Sequence, residues 1–140
     1  MIGLLVTSHG DLCQGMLNSL AMIAGENHNV FVLKFDDYNN YKEELTKKLN
    51  TLTSHYNGVL IFTDIMGGTP FNESYKYIRE NNKSNIKIIT GVNLPMIIET
   101  TLALSREENL NNLVNIAIEA GRDSINCVCY YYGIMNMVTL

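Results

Sequence analysis

Apolar residues along the chain fall into two alternating rhythms. Short, nearly continuous apolar runs occupy residues 2–6, 30–35, 59–62 and 86–89, and they are rich in β-branched and aromatic types. Such runs predict strands buried on both faces of a sheet. Between them, apolar positions step by three and four. Leu12, Met16, Leu20 and Ile23 form one stripe, and Tyr41, Leu45, Leu49 and Leu52 a second. Phe71, Tyr75 and Ile78 form a third, and Leu110, Val114, Ala117 and Gly121 a fourth. These are core-facing faces of helices. A further short helix is predicted over residues 94–104.

Alternation of strand and helix implies right-handed crossovers. The expected fold is α/β: a mostly parallel open sheet of four strands with helices on both faces. Residues 127–132, Cys-Val-Cys-Tyr-Tyr-Tyr, read as a C-terminal strand, expected antiparallel and open to exchange in a dimer. A loose apolar tail, residues 134–140, follows it. An edge strand with an apolar end invites pairing, so a subunit contact is expected there.

Length and composition narrow the function. The 140 residues suit one domain, residues 1–140, and 46% hydrophobic content suffices for a core. The formal net charge of -4 argues against a general nucleic-acid binder. The apolar start lacks a basic flank and is too short for a signal core, and no run reaches membrane-spanning length. Cys13, Cys127 and Cys129 are odd in number and make no disulfide framework, so they are read as buried thiols in a reducing compartment. Nucleotide loops and a serine nucleophile elbow are absent. No metal cluster is visible, and no cofactor or metal is expected. His28 and His55, flanked by polar residues, are read as solvated, and residues 42–48 as the wet face of a helix.

In an open parallel sheet, ligands sit beyond the carboxyl ends of the strands. Three loops should therefore converge: Ser8-His9-Gly10-Asp11, Thr63-Asp64-Ile65-Met66-Gly67-Gly68-Thr69-Pro70, and Gly91-Val92-Asn93-Leu94-Pro95. His9, followed by a glycine that blocks no approach, is a candidate nucleophile, because imidazole is partly unprotonated near neutral pH. Asp64 can hold one ring nitrogen and free the other, or it can cap a turn. Gly67, Gly68 and Thr69 are candidate phosphate ligands, since a helix start presents free amides and a positive dipole end. The same residues also read as an ordinary helix start, with Thr69 as N-cap and Pro70 at the first helical position. Leu12, Met66, Phe71, Pro95 and Met96 are apolar residues around this mouth, suited to brief partner docking or to the core.

Three segments resemble the mannose-family IIA components of the bacterial phosphoenolpyruvate:sugar phosphotransferase system. They are Ile2-Gly3-Leu4-Leu5-Val6-Thr7-Ser8-His9-Gly10, Thr63-Asp64-Ile65-Met66-Gly67-Gly68-Thr69-Pro70-Phe71-Asn72, and Gly91-Val92-Asn93-Leu94-Pro95-Met96-Ile97-Ile98-Glu99-Thr100. The helix ending near Gly121-Arg122 also fits. The resemblance implies a phosphotransferase component in which His9 is phosphorylated on Nε2 by the phosphocarrier protein HPr. The phosphoryl group then passes to a histidine of a IIB component, and on to a sugar entering through membrane IIC and IID components. By the same resemblance Asp64 hydrogen-bonds Nδ1 of His9, and the helix start at Thr69 lies beside the phosphoryl group. A cytoplasmic homodimer, peripherally associated with the transporter, is implied as well. Two features depart from the family. Thr69 stands where serine is common, and a tyrosine-rich tail replaces the linker that some members carry before a fused IIB domain, which suggests a stand-alone IIA protein. Alternatives are a regulatory or dihydroxyacetone-kinase-type phosphotransfer domain of the same fold, or a non-catalytic small-molecule binding domain.

Overall fold

The computed structural model describes residues 1–131 and 134–139, with side chains as far as residue 130. Four strands form the main sheet: β1 (Ile2–His9), β2 (Val30–Phe35), β3 (Gly58–Thr63) and β4 (Ile86–Thr90). The helices are α1 (Leu12–Ala24), α2 (Tyr41–His55), α3 (Thr69–Glu80), α4 (Leu94–Ala103) and α5 (Leu110–Asp123). The spatial order is β2-β1-β3-β4, and all four strands are parallel, where a mostly parallel sheet is expected. Chain order reverses between β1 and β3, so the crevice at their carboxyl ends is the site such a sheet offers a ligand.

The sheet separates two cores. Ile2, Leu4 and Val6 of β1 join Leu60 and Phe62 of β3 against α1, α4 and α5. Leu5, Val59 and Ile61 point the other way, against Tyr41, Leu45, Leu49 and Leu52 of α2 and Tyr77 of α3. Each such side chain contributes roughly 1.5–3 kcal/mol on burial, which makes β1 and β3 the most firmly anchored elements. Their loops therefore start from rigid ends.

The α2 stripe lies inward as the spacing predicts. Two other stripes differ: α1 keeps Leu20 and Met16 against the core but not its ends, and α3 is rotated by about one residue. On α1 the buried positions are Cys13 and Leu20, while Leu12 and Ile23 face outward. On α3 they are Pro70, Ser74 and Tyr77, while Tyr75 is exposed and stacks on Phe71 at 6.4 Å between centroids. Cys13 is buried, but Cys127 and Cys129 are exposed, contrary to expectation, because β5 has no core beneath it.

The C-terminal strand is β5 (Asn126–Tyr131), and it is antiparallel. Its partner is β6 (Ile134–Thr139), the segment expected to be a loose tail. The two pair with each other and with no strand of the main sheet. Tyr132, the predicted end of the C-terminal strand, and Leu140, the end of the expected tail, lie outside the described residues. Among the described residues no helix is long and apolar enough to cross a membrane.

Candidate functional site

His9 is the last residue of β1 and Asp64 the first beyond β3, so the two face each other across the reversal point. Gly10 turns the chain at once, with φ +58°, and its amide donates to Phe35 O at 2.7 Å. The His9 amide donates instead to Asp64 Oδ2 at 2.9 Å. The same oxygen lies 2.8 Å from His9 Nδ1. The other carboxylate oxygen, Oδ1, accepts from the Ile65 amide at 3.0 Å.

These contacts fix the ring's proton. Burial pushes the Asp64 carboxyl up, but hydrogen bonds from the His9 amide, the His9 ring and the Ile65 amide overcome it and hold the carboxyl below its usual range. An ionised carboxylate only accepts, so Nδ1 carries the hydrogen. In the neutral ring, Nε2 is then left with its lone pair. The His9 side chain is 44% exposed against 11% for Asp64, so the ring reaches solvent while its carboxylate partner is shielded.

The rest of the mouth is aromatic and backbone. Phe35, paired in register with His9 across β1 and β2, meets its ring edge-on at 5.5 Å between centroids. Tyr41 packs edge-on against Phe35 at 5.4 Å. Thr7 Oγ1 donates to Leu33 O, so the Tyr41 hydroxyl donates to Thr7 Oγ1, both at 2.7 Å. Burial raises the Tyr41 phenol well above its usual range, which keeps it a donor. Ser8 Oγ accepts from the Cys13 amide at 2.8 Å and donates to Gly10 O at 3.2 Å, which ties the His9 turn to the start of α1.

Gly67, with φ +82°, turns the second loop so that α3 starts beside the His9 ring. The helix begins at Thr69 with Gly68 as its cap residue, and Pro70 lies in the first turn. Thr69 is therefore not the N-cap that its sequence suggests. Its hydroxyl makes no cap bond and has no hydrogen-bond partner among the described residues. Amides of the first turn have no intrahelical acceptor, and they carry the positive end of the helix dipole. Asn72 Nδ2 donates to Gly67 O at 2.9 Å, which holds that carbonyl.

The third loop supports the second. Gly91 N donates to Asp64 O and Val92 N to Thr63 O, each at 3.1 Å. Asn93 caps α4 by accepting from the Met96 amide, and its Nδ2 donates to Gly121 O at 3.0 Å. Its role is to join α4 to α5. Among the apolar docking candidates, Leu12 at 49% and Met66 at 74% are exposed. Phe71 and Pro95 are half-buried, and Met96 at 5% belongs to the core, where its methyl fills the space above Gly121. Burial removes Met96 from any docking surface.

Sequence reasoning missed Ile65, exposed beside Asp64, and the contacts of Phe35, Tyr41 and Ser8. An apolar Ile-Met pair in a loop otherwise built for turning is the signal for Ile65. The final position of β2 is the signal for Phe35. His28 and His55 are exposed, as expected. No group of metal-ligating side chains occurs among the described residues.

Comparisons with known proteins point to one family. The family model for the phosphotransferase-system (PTS) fructose IIA component, EIIA-man, matches residues 3–118. A PTS mannose-specific EIIAB component of Escherichia coli K12 is 31% identical over 130 residues, 91% of this chain. The chain spans 39% of that relative's length. A PTS fructose-specific EIIA component of Bacillus subtilis is 30% identical over 118 residues, 82% of this chain and 78% of that protein. The crystal structure of an EIIA component from Streptococcus agalactiae superposes with a TM-score of 0.80 at 30% identity, covering 89% of this chain and 95% of that one.

Proposed function

The chain belongs to the mannose/fructose family of phosphotransferase-system IIA components, and from that membership we propose that it is a phosphocarrier working through His9. In this reading Nε2 of His9 takes a phosphoryl group from phospho-HPr and passes it to a histidine of a IIB component, for sugar uptake through membrane partners. The observation that carries it is the double hydrogen bond from His9 to Asp64, which leaves Nε2 as the free nitrogen.

The chemistry needs little beyond placement and electrostatics. The donor's P–N bond breaks as a bond from Nε2 to phosphorus forms. The Nδ1 hydrogen stays in place, and the positive charge gained by the ring is shared with the Asp64 carboxylate. A phosphoryl group brings roughly two negative charges near neutral pH. First-turn amides of α3, with Gly68 and Thr69, are the groups placed to receive them, together with the unengaged Thr69 hydroxyl. Asp64 repels the same charge, and this keeps the phosphohistidine ready for onward transfer. Exposed Leu12, Ile65 and Met66 supply an apolar rim for transient docking.

The reading extends to assembly and place. β4 is an edge strand of the main sheet, with a groove of about 370 Å³ between it and α5. The β5–β6 ribbon carries exposed Val128 and Tyr130. Two apolar features of one chain, neither covered among the described residues, favour a second copy as the cover and hence a homodimer. A cytoplasmic location, at the membrane only through the transporter, follows from the proposed partners.

The test is phosphoenolpyruvate-dependent labelling with enzyme I and HPr. An acid-labile phosphate on His9 is expected. Retained labelling in a folded His9→Ala variant sinks the proposal.

A further inference from the structure

We propose that Gly68 is a positioning residue for His9: the absence of a side chain at this position is what lets the imidazole lie against Asp64. The inference rests on His9 as the phosphoryl acceptor only for its consequence in rate; the geometry stands apart from it.

Two adjacent glycines have different reasons to be glycine. Gly67 has φ +82° and open space where a Cβ would stand, so backbone conformation requires it. Gly68 has φ −77° and ψ 168°, an extended conformation open to any residue. Space is what excludes other residues. A Cβ on Gly68 would lie 2.6 Å from His9 Cε1, 3.4 Å from His9 Nε2 and 3.2 Å from Ile65 Cγ1. Carbon atoms in good contact stand about 3.5–4.0 Å apart, so the ring must retreat by roughly 1 Å.

The retreat has a direct chemical meaning. Cε1 lies between the two ring nitrogens. Asp64 holds the Nδ1 side at 2.8 Å, Phe35 meets the ring edge-on, and Gly68 closes the Cε1 side. A methyl group at Gly68 pushes the ring off Asp64, which releases the tautomer and moves Nε2 together. Displacement on the order of 1 Å costs up to about a hundredfold in rate. The ring is the outer end of an exposed side chain and can swing into solvent. The cost in stability is therefore small where the cost in rate is large.

Gly68→Ala tests this. Expected are a fall of about ten- to a hundredfold in the rate at saturating phospho-HPr, a nearly unchanged KM, and loss of the His9 ring 15N signature of an Nδ1 hydrogen bonded to carboxylate. In the His9→Ala background the same substitution should lower the unfolding midpoint less than it does beside the native ring. Unchanged ring resonances and rate in Gly68→Ala overturn the proposal. Failure of the unsubstituted protein to label at His9 would overturn the phosphocarrier reading instead, and the ring resonances would still decide the role of Gly68.

Discussion

Asp64 Oδ2 accepts two hydrogen bonds from one residue, the backbone amide of His9 at 2.9 Å and its ring Nδ1 at 2.8 Å. A single oxygen thereby sets both where His9 enters the turn and which ring nitrogen is free. The position of the chain and the chemistry of the side chain are coupled through one carboxylate.

Asp64→Asn keeps an oxygen acceptor for both bonds but removes the charge that supports a positively charged ring. A loss of about 10–100-fold in the phosphorylation rate is expected, the scale seen when a partner that orients a functional histidine is lost. Rapid-quench labelling from phospho-HPr measures it, and an unchanged rate would reduce Asp64 to a turn residue.

The same carboxylate makes stability depend on pH. Its native pKa is held below the ordinary value of 3.8, so native Asp64 stays ionised where unfolded Asp64 takes up a proton. Its contribution is fully present above the unfolded value and fades as pH falls from there through the native one. Urea unfolding of the wild type and of Asp64→Asn between pH 6 and about 3 should show the difference between them narrowing at the acid end. A constant difference would contradict the linkage.

Thr69 offers its hydroxyl without a protein partner. Thr69→Ser keeps that hydroxyl and should leave transfer nearly unchanged. Thr69→Val removes it at similar shape and should slow transfer about fivefold or more, the equivalent of one hydrogen bond of about 1 kcal/mol. Equal rates for the two variants would place the phosphoryl group elsewhere.

Tyr41 supports Phe35 and ties α2 to β1 through Thr7. Tyr41→Phe keeps the ring contact and loses the 2.7 Å hydrogen bond, so a loss of about 1 kcal/mol in unfolding free energy is expected with little change in transfer. Thr7→Val leaves the buried Tyr41 hydroxyl without its acceptor and should cost more, about 1–3 kcal/mol. Chemical denaturation orders the two.

Ile65 and Met66 are exposed beside Asp64. Ile65→Ser and Met66→Ser should raise KM for phospho-HPr severalfold while leaving the saturated rate in place, because they alter docking and not the ring. A fall in the saturated rate alone would assign them to positioning. Steady-state phosphotransfer at varied donor concentration separates these outcomes.

Much of this protein is legible in its residue order. Short continuous runs rich in β-branched residues, alternating with helical stripes, are the pattern of strands covered on both sides, so the four strands and the parallel α/β fold follow from pattern. The residues just after those strands could be picked out because parallel strands all end on one edge, which is how His9 and Asp64 come to notice.

Helix phase was less legible. Each residue turns a helix by about 100°, so choosing stripe 71, 75, 78 over 70, 74, 77 rotates the predicted face by one step. Both stripes have the right spacing, and only packing of α3 against the sheet selects the second, with Ser74 inward and Tyr75 outward. The same contest placed Met96 in the core and left Leu12 outside it. The reason for glycine at position 68 is invisible locally, since its backbone is ordinary and the obstacle is a ring 59 positions away in the chain.

Residue order therefore carries the fold class, the succession of elements from β1 to β5, and His9 and Asp64 as the candidate site. Only the folded molecule shows that the His9 amide and ring share one Asp64 oxygen, and that Phe35 and Gly68 lie against the ring. The physical reason is range. Local patterns encode what a residue prefers beside its neighbours, while contacts between distant strand ends exist only once the sheet has brought them together.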